Sequence, residues 1–377
     1  MEYTTADSKL TVVVVGGGAA GAFVTRTLSG RLDASKHRLI LITARPKYAY
    51  LPASIRALVD ENTPLDTVFL SLDKVFGDFP GELTIGSVSS IEELKEGSGG
   101  LLVLANGDKV AYDVLVLATG SKWEGMLAFP NEEEGCVAHF RSWQKKFKDA
   151  NDIVIVGGGA AGIVEFAGEV KDIYPEKSVT IVQGDRLLLN DIYPDKFRRS
   201  IEHCISQRGV KIIFNDAIYG NPPLDPLKTR NGTELKCDLL VTTRGGRPNT
   251  SYMSFLLPTP LTDRGYVKIE PTLQVQSHPS IFALGDIVDL PEMKQITKIN
   301  FGHANVVATN VVAYLNGRTP STIYKGVPEL LVITNGRNGG ATYFGVLWGI
   351  TLGDYFTKTA KSKTLLVETA RKKIGLA

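Results

Sequence analysis

A chain of 377 residues exceeds one typical domain and has room for two or three. With 43% hydrophobic and 22% charged residues it is not a disordered chain, and no apolar run reaches the roughly 18 residues of a transmembrane helix. A net charge of +2 is a weak electrostatic footprint for nucleic acid.

Cys136, Cys204 and Cys237 lie far apart and form no CxxC pair, which speaks against a disulfide framework and against dithiol chemistry. His37, His139, His203, His278 and His303 show no metal-ligand spacing, so no metal site is expected. Met1 to Leu10 carries Glu2 and Asp7 and has no apolar core, so neither a secretory nor a mitochondrial presequence is indicated, and Glu2 excludes N-myristoylation. The expectation is an intracellular protein, either cytoplasmic or peripheral on a membrane such as the mitochondrial surface or a lipid droplet.

Along the chain the first signal is a repeat. VVVVGGGAAG (Val12 to Gly21) returns as IVIVGGGAAG (Ile153 to Gly162). Each copy predicts a buried parallel strand, a glycine turn and a crossover helix, Ala22 to Leu28 in the first and Val164 to Val170 in the second. A second strand follows each, Arg38 to Thr43 and Ser178 to Gln183. Asn106-Gly107 and Asn231-Gly232 then mark hairpins ahead of two apolar strands, Tyr112 to Gly120 and Cys237 to Gly245. Ser280 to Asp286 (SIFALGD) ends a last strand, and a helix is expected through Ala304 to Leu315. The fold class is α/β, with two interleaved Rossmann-type dinucleotide-binding domains plus a C-terminal module. The first domain takes 1–125 and 255–325, the second 126–254, and the module 326–377 with its basic end.

In the spacing Gly16, Gly18, Gly21 the first glycine makes a tight turn, the second admits a pyrophosphate and the third lets helix pack on strand. Gly17, Ala19 and Ala20 complete this loop, and the helix start offers its free N–H groups to the phosphates. Gly157, Gly159 and Gly162 repeat the spacing for a second dinucleotide. Where a carboxylate ordinarily binds the adenosine ribose, this chain has Thr43, and Arg45 or Lys47 could serve a phosphate instead. After the second repeat, Asp185 suits an NADH ribose and Arg186 an NADPH 2′-phosphate. The residues leave that choice open.

GGGAAG, ATG (Ala118, Thr119, Gly120), a second GGGAAG and ALGD (Ala283 to Asp286), in that order, resemble the pyridine nucleotide flavin reductases with two dinucleotide-binding domains. EVKDIYPEKSVTI (Glu169 to Ile181), GHAN (Gly302 to Asn305), GRNGG (Gly336 to Gly340) and TKTAKSK (Thr357 to Lys363) look like the apoptosis-inducing-factor-homologous branch that includes ferroptosis suppressor proteins. That branch is similar to type II NADH dehydrogenases. The resemblance implies FAD, with NADH or NADPH as co-substrate and a ubiquinone-type quinone as acceptor. It implies that Gly285 and Asp286 hold the ribityl chain and that a helix beginning at His303 and Ala304 points at the flavin. It also implies that Arg56 and Glu165 are catalytic residues beside the ring, and an ion pair between them is expected. One extra residue separates Glu165 from the second glycine motif, and Leu366 stands where the branch has an aromatic residue.

A protein electron carrier competes with the quinone as acceptor, and a different class of reading is a non-catalytic cell-death effector in which the flavoprotein binds partners or nucleic acid. The oligomeric state is left open by the sequence. From Thr357 to Ala377 six basic residues face only Glu368, giving net +5. With the apolar Phe344 to Phe356 before it, this end suggests a peripheral membrane contact. The competing expectation is that Phe344, Val346, Trp348 and Ile350 alternate as a core-facing strand.

Overall fold

The glycine repeat folds as two similar strand-turn-helix units in the computed structural model, which describes residues 9–94, 99–157, 161–220, 222–242 and 245–376. In the first, strand β1 (Leu10–Val15) leads through the glycines into helix α1 (Ala19–Ser29) and back to β2 (His37–Thr43). Val12, Val13 and Val14 are wholly buried, as a strand covered on both faces requires. Helix α2 (Leu51–Ala57), strand β3 (Glu82–Ile85) and strand β4 (Val114–Leu117) follow. The apolar run from Tyr112 to Gly120 is interrupted at Asp113, whose carboxylate accepts the Thr11 N–H at 2.6 Å. The Asn106-Gly107 turn, with Gly107 at φ +89, precedes it as expected.

Helix α3 (Glu133–Asp149) leads to the second unit: β5 (Asp152–Val156), α4 (Ala161–Ile173), β6 (Ser178–Val182), α5 (Asp195–Ser206), β7 (Lys211–Ile213) and β8 (Leu239–Thr242). These strands form one parallel sheet in the order β7-β6-β5-β8. The chain then returns to the first sheet with β9 (Gln274–Val275) and β10 (His278–Ala283), completing the order β9-β10-β4-β1-β2-β3. The first sheet is therefore assembled from segments on both sides of the second. The two connecting segments run antiparallel to each other, Ser121 opposite Pro248 and Lys122 opposite Arg247.

Beyond β10, helical structure begins at α6 (Ile296–Lys298), passes through a π turn (Ile299–His303) and continues as α7 (Ala304–Leu315). His303 and Ala304 thus lie inside a helical run, and the expectation that a helix starts there is corrected. Gln295 is the N-cap, with φ −140 and ψ 142. A π bulge of this kind hides the true start from a pattern based on regular periodicity.

The C-terminal strands β11 (Leu330–Thr334), β12 (Gly340–Phe344) and β13 (Ile350–Leu352) make a small antiparallel sheet. It packs on α4 and α5, with the Phe197 and Tyr343 rings 5.3 Å apart. Helix α8 (Asp354–Thr357), a π turn (Lys358–Ser362) and α9 (Val367–Lys373) complete the chain. The structure bears on how this end packs, and it corrects the expectation of a core-facing strand. The basic segment is no loose tail: Thr357, Ser362, Leu365, Ala370 and Ile374 are buried. The alternation from Phe344 to Ile350 is no strand either, because β12 ends at Phe344 and Trp348 stands fully exposed in a turn. Among the described residues no helix is long and apolar enough to cross a membrane.

Candidate functional site

A cleft of about 870 Å³ opens at the carboxyl ends of β1, β2 and β4. In α/β sheets this end, at the switch in strand order, is where ligands bind. The glycine loop forms its floor. Gly16 has φ +115, and a Cβ there would overlap the Ala118 carbonyl oxygen. A Cβ on Gly21 would overlap the carbonyl oxygen of Gly16, so this glycine permits the close packing of helix on strand. At Gly18 a Cβ would meet no protein atom within 4 Å, because it would point into open space. These are the three parts that a pyrophosphate cradle assigns to its glycines, and the residues fit a dinucleotide.

Gly17, Ala19, Ala20, Thr43, Arg45, Lys47, Ala118, Thr119, Gly120 and Asp286 also line the cleft. The Thr43 hydroxyl donates to the Arg45 carbonyl at 3.0 Å. Arg45 spends its guanidinium on the carbonyls of Phe129 and Pro130 at 2.5 and 2.9 Å, and Lys47 pairs with Glu133 at 2.5 Å. Asp286 accepts the Ser121 hydroxyl at 2.9 Å, which ties the two strand-end motifs ATG and ALGD together. Gly285 has φ +81 and faces Ala20 at the start of α1.

His303 is buried behind this turn. Its Nδ1 accepts the Gly285 N–H at 3.2 Å, so the proton belongs on Nε2, which meets Glu292 Oε1 at 3.0 Å. Glu292 also accepts the Tyr324 hydroxyl at 2.8 Å. Burial pushes the Glu292 carboxyl up, but the bonds from His303 and Tyr324, together with the charges of His303 and Lys298, hold it below its ordinary value. The ring therefore braces the Asp286 turn from behind rather than lining the cleft.

Lys294, which sequence reasoning missed, lies on the cleft wall just before the helix start at Ile296. Its ammonium donates to the Val288 carbonyl at 2.6 Å. Burial lowers its pKa, and Asp286 is the largest opposing influence. No motif covers this position, and only the true helix start could have drawn attention to it.

Arg56 and Glu165 do not pair with each other. Arg56 meets Glu169 of α4, one helical turn beyond Glu165, at 2.9 Å. Glu165 instead meets Lys361 at 2.7 Å and accepts the Thr334 N–H at 3.0 Å. The expected pair was off by one turn of α4, and Glu165 faces the C-terminal sheet instead. Neither side chain lines the cleft.

In the second unit Gly157 repeats the positive φ of Gly16, at +100, and a Cβ on Gly162 would meet nothing within 4 Å. Gly159 lies outside the described residues. Arg186 is exposed and pairs with Asp195 at 2.7 Å, while the Asp185 carbonyl accepts the Asn215 N–H at 3.2 Å. The three cysteines are unpaired and none lines the cleft. Burial raises the thiol pKa of each, that of Cys237 to about 11.

A family model described as pyridine nucleotide-disulphide oxidoreductase matches residues 10–313. The chain is 45% identical over 312 residues to the FAD-dependent oxidoreductase FVFD30 of Flammulina velutipes, covering 82% of this chain and 96% of that protein. It is 27% identical to ferroptosis suppressor protein 1 of Homo sapiens, over 96% of this chain and 95% of that one. Among solved structures it is similar to the sulfide:quinone oxidoreductase of Aquifex aeolicus, with a TM-score of 0.78, 18% identity and coverage of 97% and 91%. The chain belongs to the pyridine nucleotide-disulphide oxidoreductase family and uses FAD and NAD(P)H.

Proposed function

We propose that the chain oxidises NAD(P)H and passes the electrons through FAD to a ubiquinone-type quinone. The observation that carries this reading is the glycine-cradled cleft with Asp286 at its edge and no thiol on its wall. Disulphide reduction needs a dithiol beside the flavin, and this chain has none there. A ferroptosis suppressor protein along nearly the full length and a sulfide:quinone oxidoreductase of the same fold support the choice of quinone.

FAD supplies the redox chemistry, taking a hydride from the nicotinamide and releasing electrons to the acceptor. The chain's part is to bind and orient. The Gly16–Gly21 loop and the start of α1 would hold the pyrophosphate, and Asp286 the ribityl hydroxyls. The first free N–H groups of the helical run at Ile296, with Lys294 beside them, would face the ring where negative charge develops. Gly157 and Gly162 would receive the nicotinamide dinucleotide, with Asp185 or Arg186 choosing between NADH and NADPH.

Arg56 and Glu165 act, in this reading, through the strap they hold rather than by touching substrate. Arg56 donates to the Ser362 and Lys363 carbonyls at 2.7 and 3.2 Å, and Lys361 donates to the Val332 carbonyl at 2.8 Å. Both pairs thereby fix the 358–363 segment against α2 and α4. The acceptor would be met at a membrane surface, approached from the water side.

The deciding experiment is an anaerobic titration of the yellow protein with NADH and with NADPH, followed by a short-chain quinone. Bleaching by the nicotinamide and recovery on adding the quinone are expected. Bleaching without recovery, with recovery instead on adding a ferredoxin-type carrier, would replace the quinone by a protein acceptor.

A further inference from the structure

Trp348 is 100% exposed and Leu347 is 73% exposed, at the tip of the hairpin joining β12 and β13. Their backbone is as unusual as their exposure. The Gly349 N–H bonds the Val346 carbonyl at 2.9 Å, closing a tight turn whose two central residues, Leu347 and Trp348, have φ +50 and +64. Positive φ at both central positions is the type I′ geometry, which selects Asn-Gly because a bulky side chain there is strained. This chain places Leu-Trp in it, accepting local strain and exposing two of the most apolar side chains. Such a combination has its reason in what the tip touches.

The neighbouring surface extends the same character. Tyr355 of α8 is 89% exposed, and Phe356 packs edge-on against Phe344, at 5.9 Å, beneath the hairpin. Lys358 follows one turn later and Lys363 is exposed beyond it. A stable contact with a second copy of the chain needs about 800 Å² on each side. A single projecting turn does not offer a flat face of that size. A bilayer asks only for an apolar projection reaching roughly 5–10 Å past the headgroups, with an indole near the boundary and basic residues behind it.

We propose that the Val346–Gly349 turn inserts into a lipid bilayer and seats the protein on the membrane surface, with Lys358 and Lys363 facing anionic headgroups. This deepens the quinone reading by naming the residues through which a lipid-dissolved acceptor is met. The test needs no quinone, so the two ideas fail separately.

The informative variant is Leu347→Asn with Trp348→Gly, which writes the preferred type I′ sequence into the turn while removing its apolar tip. Its thermal midpoint and its NADH oxidation with a short-chain quinone in solution should match or exceed the wild type. Co-sedimentation with phosphatidylcholine vesicles, with and without 30% phosphatidylserine, should fall by roughly tenfold or more, as loss of two inserted apolar side chains requires. Tryptophan fluorescence should shift to the blue on adding vesicles in the wild type only. Lys358→Gln with Lys363→Gln should remove only the increment due to phosphatidylserine. The proposal is overturned by a wild type that does not sediment with either vesicle, or by equal sedimentation of the tip variant. It is also overturned if the tip variant changes only a monomer–dimer distribution, which would make the tip a self-association surface.

Discussion

The guanidinium of Arg56 and the carboxylate of Glu169 meet through two parallel contacts, Nε to Oε2 and Nη2 to Oε1, both at 2.9 Å. The side chains are 4% and 1% exposed, so the pair joins α2 of the first unit to α4 of the second out of reach of water. Burial raises the Glu169 carboxyl above its ordinary value even with Arg56 beside it. Removing one partner strands the other. Glu169→Gln or Arg56→Met alone is expected to cost about 3–5 kcal/mol in denaturant unfolding, and the double variant clearly less than the two single losses together. Additive losses would show that the contact carries no coupling.

Gly18 and Gly21 separate cofactor binding from folding. Gly21→Ala forces a Cβ into the Gly16 carbonyl and is expected to lower the melting temperature of the flavin-free protein. Gly18→Ala meets no protein atom, so the flavin-free melting temperature should stay as it is. Its FAD affinity should fall roughly tenfold to a hundredfold, as loss of a charge-assisted phosphate contact implies. An unchanged affinity in Gly18→Ala would remove the pyrophosphate from this loop.

Asp286→Ala tests the opposite end of the cradle. A carboxylate bonding ribityl hydroxyls contributes about 1.5–3 kcal/mol, so the variant should lose most of its flavin on desalting. Absorbance near the flavin maximum relative to protein gives the readout. Full retention would place the ribityl chain elsewhere.

Glu292 sets an acid limit. Its folded carboxyl titrates below the ordinary value of 4.5, so the fold prefers the charged form over the unfolded chain. That contribution is complete above 4.5, and it is lost as pH falls through the lower folded value. The wild-type melting temperature should therefore drop on acidification below pH 4.5 more steeply than that of Glu292→Gln. Parallel curves for the two proteins would contradict the assignment.

Much of this architecture was legible because a parallel strand buried on both faces and a glycine turn leave local marks. Val12 to Val15 and Ile153 to Val156 could hardly be anything else, and Gly16, Gly18 and Gly21 announced the cradle at its mouth. What stayed hidden depends on geometry that no short pattern contains. The π turn at Ile299–His303 moved the helix start forward to Ile296 and put Lys294 on the cleft unannounced. Glu169 rather than Glu165 meets Arg56, and since the two lie one turn apart on the same side of α4, no local pattern tells which of them reaches the arginine. The hairpin at Val346 to Gly349 broke an alternation that read as a strand, since its turn lacks the Asn-Gly signature that its backbone would favour.

The pairing of β10 with β4 joins residues near Ile281 to residues near Leu115 across the whole of the second sheet. On a ribosome the strands β5 to β8 are all available once Thr242 has emerged, while the first sheet still lacks its last two strands and the turn carrying Asp286. Contacts of such long sequence separation close late. The second sheet is thus free to assemble before the first is finished, and the cleft at the carboxyl ends of β1, β2 and β4 gains its Asp286 edge only after the second sheet is complete.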